Sequence, residues 1–416
     1  MIKGFILYRY YKYFSIILFL TSTFYLMFFR FKNVYLISSP IDDEIKILSD
    51  FHSFKANTYY DSVSKGSSPI FNVFGLMVNA FVSNGLMAIK TLNLLSLFGI
   101  FVTWAYFQIK FKVYNKNLIY LYLPVLFYIC VYQRHFYTAY TDGLFTFFIS
   151  FSLFLILCSV LSNRYKKLLF LSSFVFLAFA LGVREILALY SIGFLTIYFY
   201  LIWKNEFSGM YFLYGVCLFI IISIFIHYPS LIDKGTLSFH TKAAFEDMSW
   251  TQRNFLQILN KSHIMPSWEK VRAYLNINGV SSLPYSDLEA LTNYPDIILI
   301  NWFRQTFLSI LPFFRQLGLM FPLAVFVIFF NSNNAKKYSF VPSIFLLFFL
   351  IFSFQFAFLP LYRIEFRWFS LFPILFVVSL FYSLDMTFFK NKYYGYLFFT
   401  NLIVLSIFNF LLYGLW

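Results

Sequence analysis

Charge is scarce in this chain: Asp, Glu, Lys and Arg together make up 12% of the residues, and only 17 of them are acidic. A soluble domain carries about 25% charged residues, so most of this length is excluded from having an ordinary solvated surface. Cysteine is nearly absent. Cys130, Cys158 and Cys217 all fall within apolar runs with no Cys-x-x-Cys pair, which excludes a disulfide framework and leaves the redox compartment open. No GxxxxGK[ST] loop, HExxH or paired Cys/His set occurs, so ATP-driven transport and zinc hydrolysis lack support. The centres of the apolar runs are almost free of ionisable residues, where an ion-coupled transporter usually places some. Internal repeats, heptads and low-complexity linkers are also missing.

What fills the chain instead is apolar. Of 416 residues, 61% are hydrophobic and 25% aromatic. They are grouped in runs of roughly 17 to 25 residues, long enough to cross a hydrocarbon core of about 30 Å at about 1.5 Å per residue. An unclosed sheet would leave backbone groups unpaired in lipid, so the runs read as helices. The expectation is an all-α, polytopic membrane protein with about eleven transmembrane helices, near 13–30, 87–109, 117–133, 143–162, 168–183, 186–203, 209–227, 317–333, 339–359, 368–385 and 394–414. Residues 13–29 follow Lys3, Arg9 and Lys12 as a signal peptide would, but no small-residue cleavage site comes after, so they read as a retained first helix. The net charge of +15 reads as topology and gives no reason to expect nucleic acid, because no soluble basic domain is there to bind it.

The segment 69–84 is apolar but short. If it lies along the interface or re-enters, every short basic connection falls on one side: Lys3/Arg9/Lys12, Lys110/Lys112/Lys116, Arg164/Lys166/Lys167, Lys204, Lys336/Lys337 and Lys390/Lys392. The other side then receives 15 of the 17 carboxylates. The chain divides into a transmembrane module at 1–227 with a first external loop at 31–86, a second external loop at 228–316, and C-terminal transmembrane helices at 317–416. In the second loop, Ser286 three residues before Glu289 predicts a capping box. Arg304 and Arg315 share one face of an amphipathic helix suited to the interface and kinked near Pro312.

Against this background the stretch "SPIDDEIKILSDF" stands out, because Asp42, Asp43 and Glu44 follow the first apolar run directly. Other polar residues mark helix ends on the same side: Asp61/Lys65, Arg134/His135, Asp142, Arg184/Glu185 and Arg363/Glu365/Arg367. Carboxylates can serve as a general base towards a hydroxyl, and arginines at interface depth suit a lipid-borne phosphate. Together they suggest group transfer from a lipid-linked phosphate. The same acids read equally well as solvated charges at a helix end, and any one arginine as a head-group anchor or structural ion pair.

"SPIDDEIKILSDFHSFKAN" followed by "KGSSPIFNVFG" resembles the first lumenal loop of the dolichyl-phosphate-glucose-dependent α-1,2-glucosyltransferases of lipid-linked oligosaccharide assembly. "TLNLL", then "LPVLFYICVYQRHFYTAYTDGLFTFF" and "LGVREILAL", resemble that family's next landmarks in order. The resemblance covers residues 13–200; later, Asp233-Lys234 with His240 and "YRIEFRWF" match only loosely. It implies a GT-C architecture, with juxtamembrane helices and catalytic acids in the first external loop. It also implies inversion by single displacement, with Asp43 as the base together with Glu44, and Asp142 as a second acid that orients the acceptor. Arg184, Arg363 and Arg367 are the candidate phosphate binders, with Asp42, Lys65 and Arg134 as further substrate-binding candidates.

The expected partners are a polyprenyl- or dolichyl-phosphate sugar donor, its sugar a hexose and glucose by resemblance, a glycan or lipid-linked acceptor, and the bilayer itself. The expected location is the ER membrane in a eukaryote or the inner or plasma membrane in a bacterium, with the site on the non-cytoplasmic face. No cofactor is evident, and carboxylates alone leave a divalent metal open. Two rival readings are a lipid-linked sugar flippase or transporter, and a polysaccharide polymerase or ligase that relies on arginines and a histidine.

Overall fold

The computed structural model describes residues 2–40, 43–111, 118–162, 165–238, 244–245, 248–262, 264–330, 340–357, 365–384 and 392–414. Asp42, Arg363, His240, Asp385 and the basic positions Lys112, Lys116, Arg164, Lys336, Lys337 and Lys390 lie outside the described residues. The protein is built of helices, as lipid demands of backbone amides. Among the described residues the only strands are two residues each, Ala244–Phe245 antiparallel to Met248–Ser249.

Helix α1 (Ile2–Arg30) runs into a π-helical turn at Phe31–Tyr35. Three short helices follow: α2 (Asp43–Ala56), α3 (Tyr59–Ser64) and α4 (Pro69–Asn79). With 11 residues, α4 is shorter than a single membrane crossing. Next come α5 (Gly85–Phe111), α6 (Ile119–Tyr132), α7 (Asp142–Leu161), α8 (Lys166–Val183), α9 (Leu187–Trp203) and α10 (Gly209–Lys234). The second connection holds α11 (Trp250–Leu259), α12 (Trp268–Asn278) and α13 (Asp287–Asn293) over a small core of their own, including Phe255, Val271 and Ala290. The chain ends with α14 (Pro295–Leu317), α15 (Met320–Phe330), α16 (Phe340–Ala357), α17 (Leu371–Ser383) and α18 (Lys392–Gly414).

Among the described residues, seven helices are long and apolar enough to cross a membrane: those at Tyr8–Tyr35, Gly85–Phe111, Asp142–Leu161, Lys166–Val183, Gly209–Lys234, Pro295–Leu317 and Tyr393–Leu411. Six coincide with expected spans. The seventh, α14, was expected to lie along the interface; it carries Arg304 and Arg315 as anticipated, yet its 23 residues give it a spanning length. The other five expected runs form the shorter helices α6, α9, α15, α16 and α17.

Burial sorts these helices into inner and outer members. α7 is the central one: 78% of its apolar window is buried, and it packs mainly on α8 and α5. α10 buries only 17% of its window and keeps Ile221, Ile224 and Phe225 exposed, as a lipid-facing helix does. The helix ends also sort by charge. The turns bearing Lys166, Lys167 and Lys204 meet at one end of the bundle, where Lys166 Nζ lies 2.6 Å from Glu206. The carboxylates of the sequence motif gather at the other.

Candidate active site

The site begins with a buried clamp on the first loop. Lys90, in the first turns of α5, donates to the Val34 and Ile37 carbonyls at 2.9 and 3.0 Å and so fixes the turn that ends α1. Its Nζ lies 3.8 Å from Glu44 Oε1, and both side chains are buried, at 0% and 2% exposure. Glu44 Oε1 also accepts the Ala139 N–H at 2.7 Å, tying α2 to the loop between α6 and α7. One turn along α5, Asn93 Nδ2 donates to the Thr138 and Tyr140 carbonyls at 2.7 and 2.6 Å. Gly143 is required there, because a Cβ would meet Asn93 Oδ1 at 2.5 Å. This holds Asp142 at the start of α7.

A guanidinium completes the site from the other half of the chain. Residues Phe366–Phe369 form a single 3-10 turn before α17. Three bonds pin that turn: Tyr190 Oη donates to the Trp368 carbonyl at 2.6 Å, Gln133 Nε2 to the Ser370 carbonyl at 2.8 Å, and the Thr146 and Ser370 hydroxyls pair at 2.7 Å. Arg367 is thereby aimed at three carboxylates. Its Nη2 donates to Asp43 Oδ2 at 2.9 Å, its Nη1 lies 3.5 Å from Asp142 Oδ2, and its Nε donates to Glu365. The Tyr140 ring lies under the guanidinium at 4.6 Å, a cation–π contact. Arg184, at the end of α8, pairs with the other oxygen of Asp142.

The carboxylates of the site differ in exposure. Asp142 is buried between two arginines, whereas the Asp43 side chain is 62% exposed and open to an incoming molecule. His135 turns inward from the 3-10 turn Arg134–Phe136 and is buried. Its Nε2 has no hydrogen-bond partner among the described residues. Burial pushes its pKa down to about 4; Asp142 opposes the shift, while Arg367, Arg184 and Arg30 reinforce it.

Of the residues marked in the sequence, Asp43, Glu44, Asp142, Arg184 and Arg367 are brought together. Lys65 is not: it is exposed after α3, which docks instead on α10 through Tyr59 Oη to the Ile226 carbonyl at 2.6 Å and Tyr60 Oη to Asp233. Arg134 is exposed beside the inward His135. Lys90 is not among the sequence candidates, and Asn93 enters them only within the stretch TLNLL. Lys90 carried a signal, an ammonium inside an otherwise apolar helix, and such a group needs a counter-charge. Among the described residues no three His, Cys, Asp or Glu side chains gather to hold a metal ion.

An apolar groove of about 500 Å³ opens between α4, α5 and α7, lined by Phe74, Phe81, Leu92, Leu95, Leu144 and Phe148. It adjoins the site in the chain, since Leu92 precedes Asn93 and Leu144 follows Asp142 by two residues. No family model matches the chain, and no curated protein matches it.

Proposed function

We propose that this protein is a membrane glycosyltransferase that moves a hexose from a polyprenyl- or dolichyl-phosphate sugar to a hydroxyl of a glycan or lipid-linked acceptor, with inversion. The observation that carries the reading is Asp43, an exposed carboxylate held 2.9 Å from the guanidinium of the largely buried Arg367, beside the Asp142–Arg184 pair. A base and two phosphate-matched cations thus stand together at helix ends. The acceptor gives its proton to Asp43 as its oxygen bonds to C1 of the sugar. The C1–O bond to phosphate breaks with its electron pair, and the lipid phosphate leaves against guanidinium charge. Asp142, locked between the arginines, positions them.

The apolar groove supports a lipid-borne donor, because a polyprenyl tail can lie between α4, α5 and α7 while its phosphate reaches the site. Lys110, Lys166, Lys167 and Lys204, at the opposite end, support a non-cytoplasmic site by the positive-inside rule. A GT-C arrangement, in which α2, α3 and α4 are juxtamembrane helices, fits the same placement. One observation favours the polymerase or ligase reading instead: the His135 Nε2, which has no hydrogen-bond partner among the described residues, stands beside the arginines.

Donor choice separates these readings. The purified full chain in liposomes is given radiolabelled polyprenyl-phosphate sugar or polyprenyl-pyrophosphate sugar, with acceptor. Transfer from the monophosphate supports the proposal. Transfer from the pyrophosphate alone establishes the ligase reading, and movement of intact donor across the bilayer without bond cleavage establishes the transporter.

A further inference from the structure

The end of the bundle remote from the carboxylates holds a concavity of about 680 Å³, lined by Tyr165, Lys166, Lys167, Glu206, Ser208 and Tyr211. Its two walls are the turns that open α8 and α10, both long enough to cross a membrane, so the concavity lies at the depth of lipid head groups. Its charges are unequal. Lys166 is matched by Glu206 at 2.6 Å and stacks on Phe207 at 5.0 Å. Lys167 lies 4.7 Å over the Tyr211 ring and has no carboxylate partner among the described residues. One uncompensated ammonium therefore faces the cavity among phenol, hydroxyl and aromatic groups.

The geometry points to a binding site here for the head group of an anionic phospholipid, distinct from the carboxylate–arginine site and independent of the enzymatic reading. A phosphodiester carries one negative charge, which Lys167 meets. Tyr165 and Ser208 supply hydroxyl donors to its oxygens, and Lys166 and Glu206 offer a donor and an acceptor to polar groups of the head. The source is a lipid rather than free phosphate, because the walls continue into exposed apolar surface at Leu168, Met210, Leu213 and Tyr214, where acyl chains can lie. Basic pockets between membrane helices bind anionic head groups in this way.

The test uses the full chain, purified in detergent and equilibrated with equal amounts of phosphatidylglycerol and phosphatidylcholine, with retained lipid counted by mass spectrometry. Wild type should retain phosphatidylglycerol preferentially, and Lys167→Gln should reduce that preference about fivefold, the value of one lysine at a membrane surface. Ser208→Asp is the second variant. Ser208 has extended backbone and no side-chain cap bond to α10, so Asp there can cap the helix while placing negative charge in the cavity. It should remove the preference with folding intact. Equal retention of both lipids by wild type, or an unchanged preference in both variants, overturns the proposal. So does displacement of the lipid by inorganic phosphate alone, which would make this a free-phosphate site.

Discussion

Glu44 and Lys90 offer the sharpest test of how the first loop is held. Two unit charges 3.8 Å apart attract by about 4 kcal/mol at an effective dielectric of about 20, before desolvation is subtracted. Removing one partner strands the other in a buried place, which costs about 3–5 kcal/mol. Glu44→Ala does this and also orphans the Ala139 N–H, so it should be the most destabilising of the set. Glu44→Gln keeps an oxygen for Ala139 and should cost less, about 2–3 kcal/mol. Lys90→Met strands Glu44 and two carbonyls, but combined with Glu44→Gln it leaves no buried charge. The double variant should therefore be more stable than the sum of the single losses implies, by about 1–3 kcal/mol. Unfolding of the detergent-solubilised chain by SDS titration gives all four values. Additive losses, or a Glu44→Ala variant within about 0.5 kcal/mol of wild type, would refute a buried clamp.

Further predictions concern the arginines and the buried imidazole. Arg184→Ala and Arg367→Ala should each raise the apparent Michaelis constant for the donor about 10- to 150-fold, with Lys variants in between because an ammonium lacks the bidentate fork; unchanged constants in folded variants make both arginines structural. His135 titrates lower in the folded chain than in the unfolded one, so the unfolded state binds the extra proton as pH falls from about 6.5 towards 4, and stability should drop by about 2 kcal/mol between pH 8 and pH 5. His135→Asn should flatten that dependence, and an equal drop in the variant assigns it to other groups.

The helices were legible because lipid leaves the backbone no alternative, and each apolar run had only to be measured against the bilayer. The capping box was legible because it is local: Ser286 Oγ accepts the Glu289 N–H at 3.1 Å, although Glu289 returns its bond to Tyr285 rather than to Ser286. The acidic stretch was visible because charge is rare here. Its partner was not, since Asp43 and Arg367 meet across 324 residues and no periodicity spans that distance. Nor did adjacency reveal that Asp43 and Glu44 part company, one open to solvent and one sealed against Lys90. α14 shows the limit of pattern reading, because its spaced arginines suit an interface while its length suits a span.

The most direct test of the central claim is sugar transfer by Asp43→Asn. The substitution keeps the shape and a hydrogen-bond acceptor for Arg367 but removes the base. With Asp50→Asn on the same helix as a control, transfer from polyprenyl-phosphate sugar by the purified, folded chain should fall about 100-fold or more in the first variant and stay near wild type in the second. Near-normal transfer by Asp43→Asn would contradict the account, since the exposed carboxylate beside Arg367 would then not be the base.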